Sequence, residues 1–364
     1  MTLRVAVDAT PIPVRRVGAG VYVTELLHAL DPLDVELHVF ANDRDVSELT
    51  SIARRAVLHP VRLPNRPARL AWSHTVLPLR VRRLQPDVFH GPHYTLPAGA
   101  GCASTVTFHD PTFFTLPELH ERAKVAYFTR AARTGIRRAT RVIAVSDYAR
   151  RGAIEHAGAD VAKTDVVLEG IDPARYNPGS SDGETFPFEP YVLFVGALEP
   201  RKDISTLVSA FGSLAADGLA QHLVLVGPRA WGAEAVDAAV SRLQHGTVHQ
   251  LSFVAEERKI ELFRRASVFV YPSIAEGFGL PVLEAMACGT PVVTTTGSAP
   301  EEVAGDAAML VPPRDEVALA EAIAKVLGTP DLASDLRKRG LERAAGLTWN
   351  RTAEQTLDVW KRAL

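Results

Sequence analysis

A chain of 364 residues exceeds one ordinary domain and suggests two, at roughly 100 to 200 residues each. Lys and Arg number 40 against 42 Asp and Glu, a formal net charge of -2, so no general electrostatic attraction to nucleic acid operates and no nucleic-acid partner is expected. Two cysteines, Cys102 and Cys288, cannot staple a chain of this size, no apolar run reaches the ~18 residues of a spanning helix, and the opening MTLRVAVDAT lacks a basic start with an apolar core, so a reducing cytoplasm is the expected location.

Short β-branched runs at 3–9, 35–41, 87–91, 105–109, 141–146 and 165–168 read as strands. They alternate with segments of helical period, the pattern of βαβ units around a parallel sheet. In the first such segment, 22–30, Val23, Leu26, Leu27 and Leu30 make one apolar face. Residues 173–190 (PARYNPGSSDGETFPFEP) concentrate Pro, Gly, Ser and acids without periodicity and read as a linker. Strand runs resume at 191–198, 222–227, 250–254, 267–273 and 291–296, so the second half repeats the architecture of the first. The tail from 315 to 364 has helical spacing and carries Trp349 and Trp360 on an amphipathic stretch. The expected fold is α/β, two Rossmann-like doubly wound domains facing a central cleft, where ligands of such folds bind. The expected boundaries are a first domain at 1–175, a linker at 176–190, a second domain at 191–347 and a terminal helix at 348–364 that runs back toward the first domain.

Residues able to carry chemistry fall just after strands. In PSIAEGFGLPVLEAMACGTPVVT (272–294), Pro281 suits the first residue of a helix and makes 276–280 the loop that feeds it. Gly277 and Gly279 let backbone N–H groups approach a ligand, and the helix N-terminus favours a phosphate or sugar oxygen. Glu276 can accept from sugar hydroxyls, and Glu284, expected on the first turn, can reach a ribose; the plainer reading of Glu284 is a complement to the helix dipole. Gly196-Ala197-Leu198-Glu199-Pro200-Arg201-Lys202-Asp203 places two adjacent cations between a strand and a helix, where they can neutralise a diphosphate. A solvated basic pair is the competing explanation. His109 ends a strand and can donate to a hydroxyl or carbonyl, with Asp110 orienting it or bracing the loop, although most of the 12 histidines must be structural. Arg15-Arg16-Val17-Gly18-Ala19-Gly20 is a glycine-rich turn, weak as dinucleotide evidence and reasonable as a backbone lip over an anion or acceptor.

No phosphate-loop, H-E-x-x-H, paired C-x-x-C or G-x-S-x-G pattern occurs, nor a D-x-D pair to hold a divalent metal. Residues 1–180 carry 23 basic and 18 acidic residues, against 17 and 24 in 181–364. Chance surface charge explains that split, and so does contact of the first half with an anionic membrane or a phosphorylated acceptor through the Arg-bearing stretches 62–83 and 130–141.

Taken together, VDAT and GAG near the start, FHDPTFF, VIAVSDYAR, VLEGID, FVGALEPRKD, YPSIAEGFGLPVLEAMACGTPVV, APEEV and LVPPRD span the chain. The sequence resembles the family 4 retaining glycosyltransferases of the GT-B fold, bacterial mannosyltransferase-like members in particular. The resemblance implies that Arg201 and Lys202 hold a donor diphosphate, Glu276 the transferred sugar and Glu284 the nucleotide ribose. The N–H groups of Phe278, Gly279 and Leu280 would line sugar and phosphate, with Gly196 and Gly277 in the same donor site. Val254 would help seat the base, His109 would lie beside the donor sugar, and Gly18 and Gly20 would border diphosphate and acceptor. Glu169, Asp203 and Ser252 depart from the family's usual Asn, Asn and Gly.

The resemblance implies a retaining hexosyltransferase that uses a nucleotide diphosphate sugar, GDP-mannose first, and a glycan or lipid-linked acceptor in polysaccharide or glycolipid biosynthesis. No tightly bound cofactor and no metal requirement are expected, and the location is cytoplasmic with peripheral contact at the inner face of the membrane. A nucleotide-sugar 2-epimerase of the same fold and a non-catalytic nucleotide-sugar binding protein are the rival readings.

Overall fold

The computed structural model describes residues 2–14, 16, 18–179 and 185–364. Arg15 and Val17 of the glycine-rich turn, and 180–184 of the expected linker, lie outside the described residues. The chain divides into two compact units. One gathers the residues up to Thr115, Ala123–Glu169 and Trp349–Leu364, and the other Leu116–Arg122 and Gly170–Thr348. Residues 170–175 therefore group with the second unit and not, as the sequence suggested, with the first. The Ile171 N–H donates to the Leu347 carbonyl at 2.9 Å and fastens this segment to the second unit's own end.

The first unit holds β1 (Leu3–Asp8), β2 (Val35–Asn42), β3 (Val57–Val61), β4 (Val88–Gly91), β5 (Ala103–Phe108), β6 (Arg141–Ala144) and β7 (Thr164–Val166). Their spatial order is β3-β2-β1-β4-β5-β6-β7, and every pairing among them is parallel. The second unit holds β8 (Tyr191–Val195), β9 (His222–Val226), β10 (Thr247–Leu251), β11 (Val268–Tyr271), β12 (Val292–Thr295) and β13 (Ala308–Val311). Their order is β10-β9-β8-β11-β12-β13, again all parallel. Both sheets wind outward in two directions, from β1 and β4 in one and from β8 and β11 in the other. Loops that follow these central strands flank the point where strand order reverses, the place such sheets reserve for ligands.

The central strands β4, β8 and β11 are buried along their whole length, as crossover helices on both faces require. That is why they read in the sequence as continuous apolar runs. Two edge strands, β3 and β13, lie outside the expected set. β3 contains Pro60 and is mostly half-exposed or exposed, so it lacks both an apolar run and clean alternation, and its proline is tolerated because an edge strand has a free side. Another edge strand, β10, runs three residues earlier than its expected position at 250–254.

The helix Trp349–Arg362 belongs to the first unit, where it packs along Ala19–Leu30. Trp360 is fully buried, its ring centroid 5.3 Å from that of His90 in an edge-on arrangement, and Val359 joins Ile143 and Val167 in one apolar cluster. Among the described residues no helix is long and apolar enough to cross a membrane.

Candidate functional site

In the second unit, the loops after β8 and β11 carry the cations and the glycine-rich segment. A single helical turn, Pro200–Lys202, follows β8 and buries both Arg201 and Lys202. The Ile274 N–H donates to the Arg201 carbonyl at 2.9 Å, which ties the two loops together. Arg201 Nη1 donates to the Ala275 carbonyl at 2.8 Å and stands 2.5 Å from Glu276 Oε2. Its Nη2 donates to Glu199 Oε1 at 2.9 Å. Lys202 Nζ donates to the other Glu276 oxygen at 2.7 Å and to Tyr271 Oη at 2.5 Å. Gly196 lies beside this set, where a Cβ would stand a tight 3.0 Å from Phe194 Cζ and in ordinary contact, 3.8 Å, with Lys202 Cε.

Glu276 is thus a buried carboxylate gripped by two buried cations. Burial alone would raise its pKa, but Arg201 and Lys202 overcome that and hold it down at about 2. Burial alone would lower the Lys202 pKa, and Glu276 reverses it to a raised value. Tyr271 is pushed up to about 12, by burial first and then by Glu276, so it remains a neutral hydroxyl. A carboxylate favoured by folding contributes stability above the ~4.3 of an unfolded glutamate. That contribution is lost as pH falls through about 2. Acid unfolding of a Glu276→Gln variant, followed by circular dichroism, is therefore expected to be flatter than that of the parent over this window. An equally steep curve would contradict a buried ion set.

The helix after the loop begins at Leu280, with Pro281 inside its first turn, because Gly279 caps it in a left-handed conformation at φ 107. A Cβ at Gly279 would also come within 3.2 Å of Pro300 Cγ. Glu284 consequently falls in the second turn, not the first as expected, and a simple role as dipole complement loses its footing. Its Oε1 accepts from Tyr176 Oη at 3.1 Å and from Lys259 Nζ at 3.0 Å. Lys259 also pairs with Glu256 at 3.1 Å. Phe278 is buried beside the loop. Val254 lies three residues beyond the end of β10 and ahead of the helix Glu256–Arg265.

In the first unit, His109 follows β5 and is 9% exposed. Its Nε2 lies 2.7 Å from the Pro92 carbonyl; a carbonyl only accepts, so Nε2 carries a hydrogen. Nδ1 stands 3.4 Å from Glu169 Oε1, and the Tyr22 ring meets the imidazole edge-on at 4.8 Å. Glu169 is thus the carboxylate facing His109, whereas Asp110 accepts from the Thr112 N–H at 2.8 Å and braces the loop. Gly18 caps the helix Ala19–Leu30 at φ 50. At Gly20 a Cβ would strike Pro13 Cδ at 2.9 Å.

Sequence reasoning missed Tyr271, Tyr176, Lys259 and the role of Glu169. Only Glu169 left a trace, as a glutamate where asparagine is usual. Among the described residues no group of three or more His, Cys, Asp or Glu stands together to hold a metal ion.

Comparison with known proteins gives the family and the fold. The family described as Glycosyl transferases group 1 matches residues 183–343, and Glycosyltransferase Family 4 matches residues 17–175. The O-antigen chain mannosyltransferase B of Escherichia coli is 33% identical over 307 residues, 81% of this chain and 77% of that protein. Among solved structures, sucrose-phosphate synthase from Thermosynechococcus elongatus superposes with a TM-score of 0.78 at 23% identity, over 99% of this chain and 98% of the other. Anabaena HepE in complex with UDP and glucose gives a TM-score of 0.74 at 18% identity, over 99% and 100%. Both halves matched in order, and a relative of this identity across most of both chains, establish that the chain belongs to the glycosyltransferases, family 4 in its first half and group 1 in its second.

Proposed function

We propose that the chain transfers a hexose from a nucleoside diphosphate sugar to a hydroxyl of a glycan or lipid-linked acceptor with retention of anomeric configuration. Mannose from GDP-mannose is the donor of first choice, supported by the E. coli relative, which is a mannosyltransferase at 33% identity. Polysaccharide or glycolipid assembly is the corresponding process.

One observation carries the reading: a buried Arg201–Lys202 pair, placed between a strand and a helix, is held by the Glu276 carboxylate. Buried charges persist only when paired, and cations that hold a carboxylate this way can hold a phosphate oxygen instead. A donor diphosphate competes for the same cations and frees Glu276 to accept from hydroxyls of the transferred sugar. As the bond from the anomeric carbon to the phosphate oxygen breaks, charge accumulates on the departing diphosphate. Arg201, Lys202 and the N-terminus of the helix Leu280–Ala287 oppose that charge. The acceptor oxygen bonds to the same face of the sugar and its proton passes to the leaving phosphate. In this reading Glu276 binds and orients but performs no acid or base step, Glu284 meets the ribose, and His109 serves the transferred sugar.

The test incubates the full chain with GDP-mannose, UDP-glucose, UDP-GlcNAc and dTDP-rhamnose and follows binding and slow hydrolysis by mass. GDP-mannose is expected to bind tightest and to release mannose. Preference for another donor overturns the choice of sugar, and binding of none overturns the transferase reading.

A further inference from the structure

Glu169 stands just beyond β7 in the first unit. The Val167 N–H donates to the Ala144 carbonyl at 2.9 Å, and the Leu168 carbonyl accepts from Thr352 Oγ1 at 2.8 Å, so the backbone that leads to Glu169 is tied down on two sides. Glu169 is 5% exposed. Among the described residues His109 is the basic group at ion-pair distance from it, with Oε1 3.4 Å from Nδ1. A carboxylate buried this far persists only with a partner charge.

The hydrogens on His109 follow from its two contacts. Nε2 lies 2.7 Å from the Pro92 carbonyl, which only accepts, so Nε2 carries a hydrogen. In a neutral ring Nδ1 would then be a bare lone pair, and it would face the Glu169 carboxylate, electron pair against negative charge. An asparagine in place of Glu169 would remove the conflict by turning its amide N–H toward Nδ1, leaving a neutral pair with no proton to lose. An ionised glutamate has no hydrogen to offer, so the pair holds one proton more. An imidazole binds a proton more tightly than a carboxylate does, which puts that proton on Nδ1. The 2.7 Å contact to Pro92 agrees with a cationic ring. Neutral N–H···O bonds centre at about 2.9 to 3.0 Å, and shorter ones are typical of charged donors.

Neutral groups surround the pair. From the helix Ala19–Leu30, Tyr22 meets the His109 ring at 4.8 Å. Burial pushes the Tyr22 pKa up, and its hydroxyl is bonded to Thr107 Oγ1 at 3.2 Å. From β4 and the loop after it, His90 and His93 are both held down at about 3, by burial first and then by His109. Arg66 and Arg69 add to this at His93, whose ring lies 5.7 Å from that of His109. Tyr94, at 5.8 Å, accepts from the Asp110 N–H at 2.8 Å. The helix Trp349–Arg362 contributes Thr352 and Trp349, the latter against Tyr22 at 6.1 Å. Asp110, the adjacent acid, is engaged by the Thr112 N–H at 2.8 Å.

We propose that Glu169 is a positioning residue that keeps His109 an imidazolium, so that the hydrogen on Nε2 meets the transferred sugar as a charge-assisted donor. Such hydrogen bonds are about twice as strong as neutral ones, and a carboxylate behind an imidazole also fixes the orientation of the ring. Raising the pH removes the Nδ1 proton, leaves its lone pair against the carboxylate and weakens the donor, so transfer falls on the alkaline side. With asparagine at this position there is no such proton and no such fall. The use made of the hydrogen rests on His109 serving the transferred sugar; the proton itself does not.

Nitrogen NMR on the full chain with labelled histidine and no substrate reads the ring directly, the His109 signals being those missing from a His109→Gln variant. At neutral pH the parent is expected to show hydrogen on both His109 nitrogens, and Glu169→Asn hydrogen on Nε2 alone. A bare Nδ1 in the parent overturns the proposal. The second arm follows kcat/KM for sugar transfer against pH. The parent is expected to lose ~10-fold per pH unit above the loss of its Nδ1 proton, and Glu169→Asp to keep that limb. Glu169→Asn is expected to be ~10-fold slower than the parent at neutral pH, having lost the charge assistance, and flat where the parent falls. An identical limb in the parent and Glu169→Asn overturns the proposal, since a merely structural glutamate would lower the curve without changing its shape. Because the NMR uses no nucleotide sugar, a bare Nδ1 speaks against this inference alone, and a failed donor panel against the transferase reading alone.

Discussion

A Glu276→Ala enzyme is expected to lose ~100-fold or more of its kcat/KM for sugar transfer while keeping, or tightening, its affinity for the nucleoside diphosphate alone. Losing the group that orients the transferred sugar costs on the order of 100-fold in rate, as misplacement of reacting atoms by about 1 Å does. The second half of the expectation follows from the ion set. Glu276 neutralises both Arg201 and Lys202; deleting it removes the carboxylate these two buried cations share, at a cost of about 3 to 5 kcal/mol. That is a large part of an ordinary domain's ~5 to 15 kcal/mol, but not all of it, so the variant folds with a lowered melting temperature. Nucleoside diphosphate then supplies the missing negative charge without having to displace a carboxylate. Its stabilising shift in melting temperature is accordingly larger in the variant than in the parent. Calorimetry with the nucleoside diphosphate, beside a transfer assay, separates the two effects. Near-normal turnover would remove Glu276 from the site, and parallel loss of turnover and diphosphate affinity would show that it serves only to hold the cations in place.

Much of this was legible in the residues because chemistry after a strand leaves a local signature. The central strands are buried on both faces and therefore appear as unbroken apolar runs, with the cations and glycines directly behind them. Gly277 and Gly279 bracket Phe278 where a loop must come close to a ligand, and Gly279 does adopt a conformation, φ 107, that side-chain-bearing residues avoid. Edge strands were less legible: β3 is interrupted by Pro60 and largely exposed, so nothing in its pattern separates it from a loop. Partners across the fold left the weakest signal. Lys202 meets Tyr271 from 69 residues away, and Tyr176 reaches Glu284 from 108 residues away. Both pairings are produced by the order of strands in the sheet, which local spacing does not encode.

Replacing Trp360 by alanine is expected to destabilise the first unit by about 3 kcal/mol, the low end of the ~3 to 5 kcal/mol usual for a buried tryptophan. Trp360 is fully buried in a helix that returns to the first unit from the far end of the sequence. Its loss opens a space beside His90 and next to the helix Ala19–Leu30, neither of which can collapse far without disturbing β4 or β1. The low end is chosen because Trp360 Nε1 is buried without a hydrogen-bond partner among the described residues. Deleting that donor returns part of what the cavity costs, since a buried unsatisfied N–H is itself unfavourable by about 1 to 3 kcal/mol. The same reasoning makes Trp360→Phe much milder than Trp360→Ala, because it retains most of the ring and discards the unpaired N–H. Urea unfolding with a probe in each unit tests both statements. The transition of the first unit should move to lower denaturant in the alanine variant and shift little in the phenylalanine variant, with the transition reported from the second unit unmoved in either. Equal losses for the two substitutions would mean that the indole nitrogen has a partner, and a shift confined to the second unit would detach the terminal helix from the sheet it is held to support.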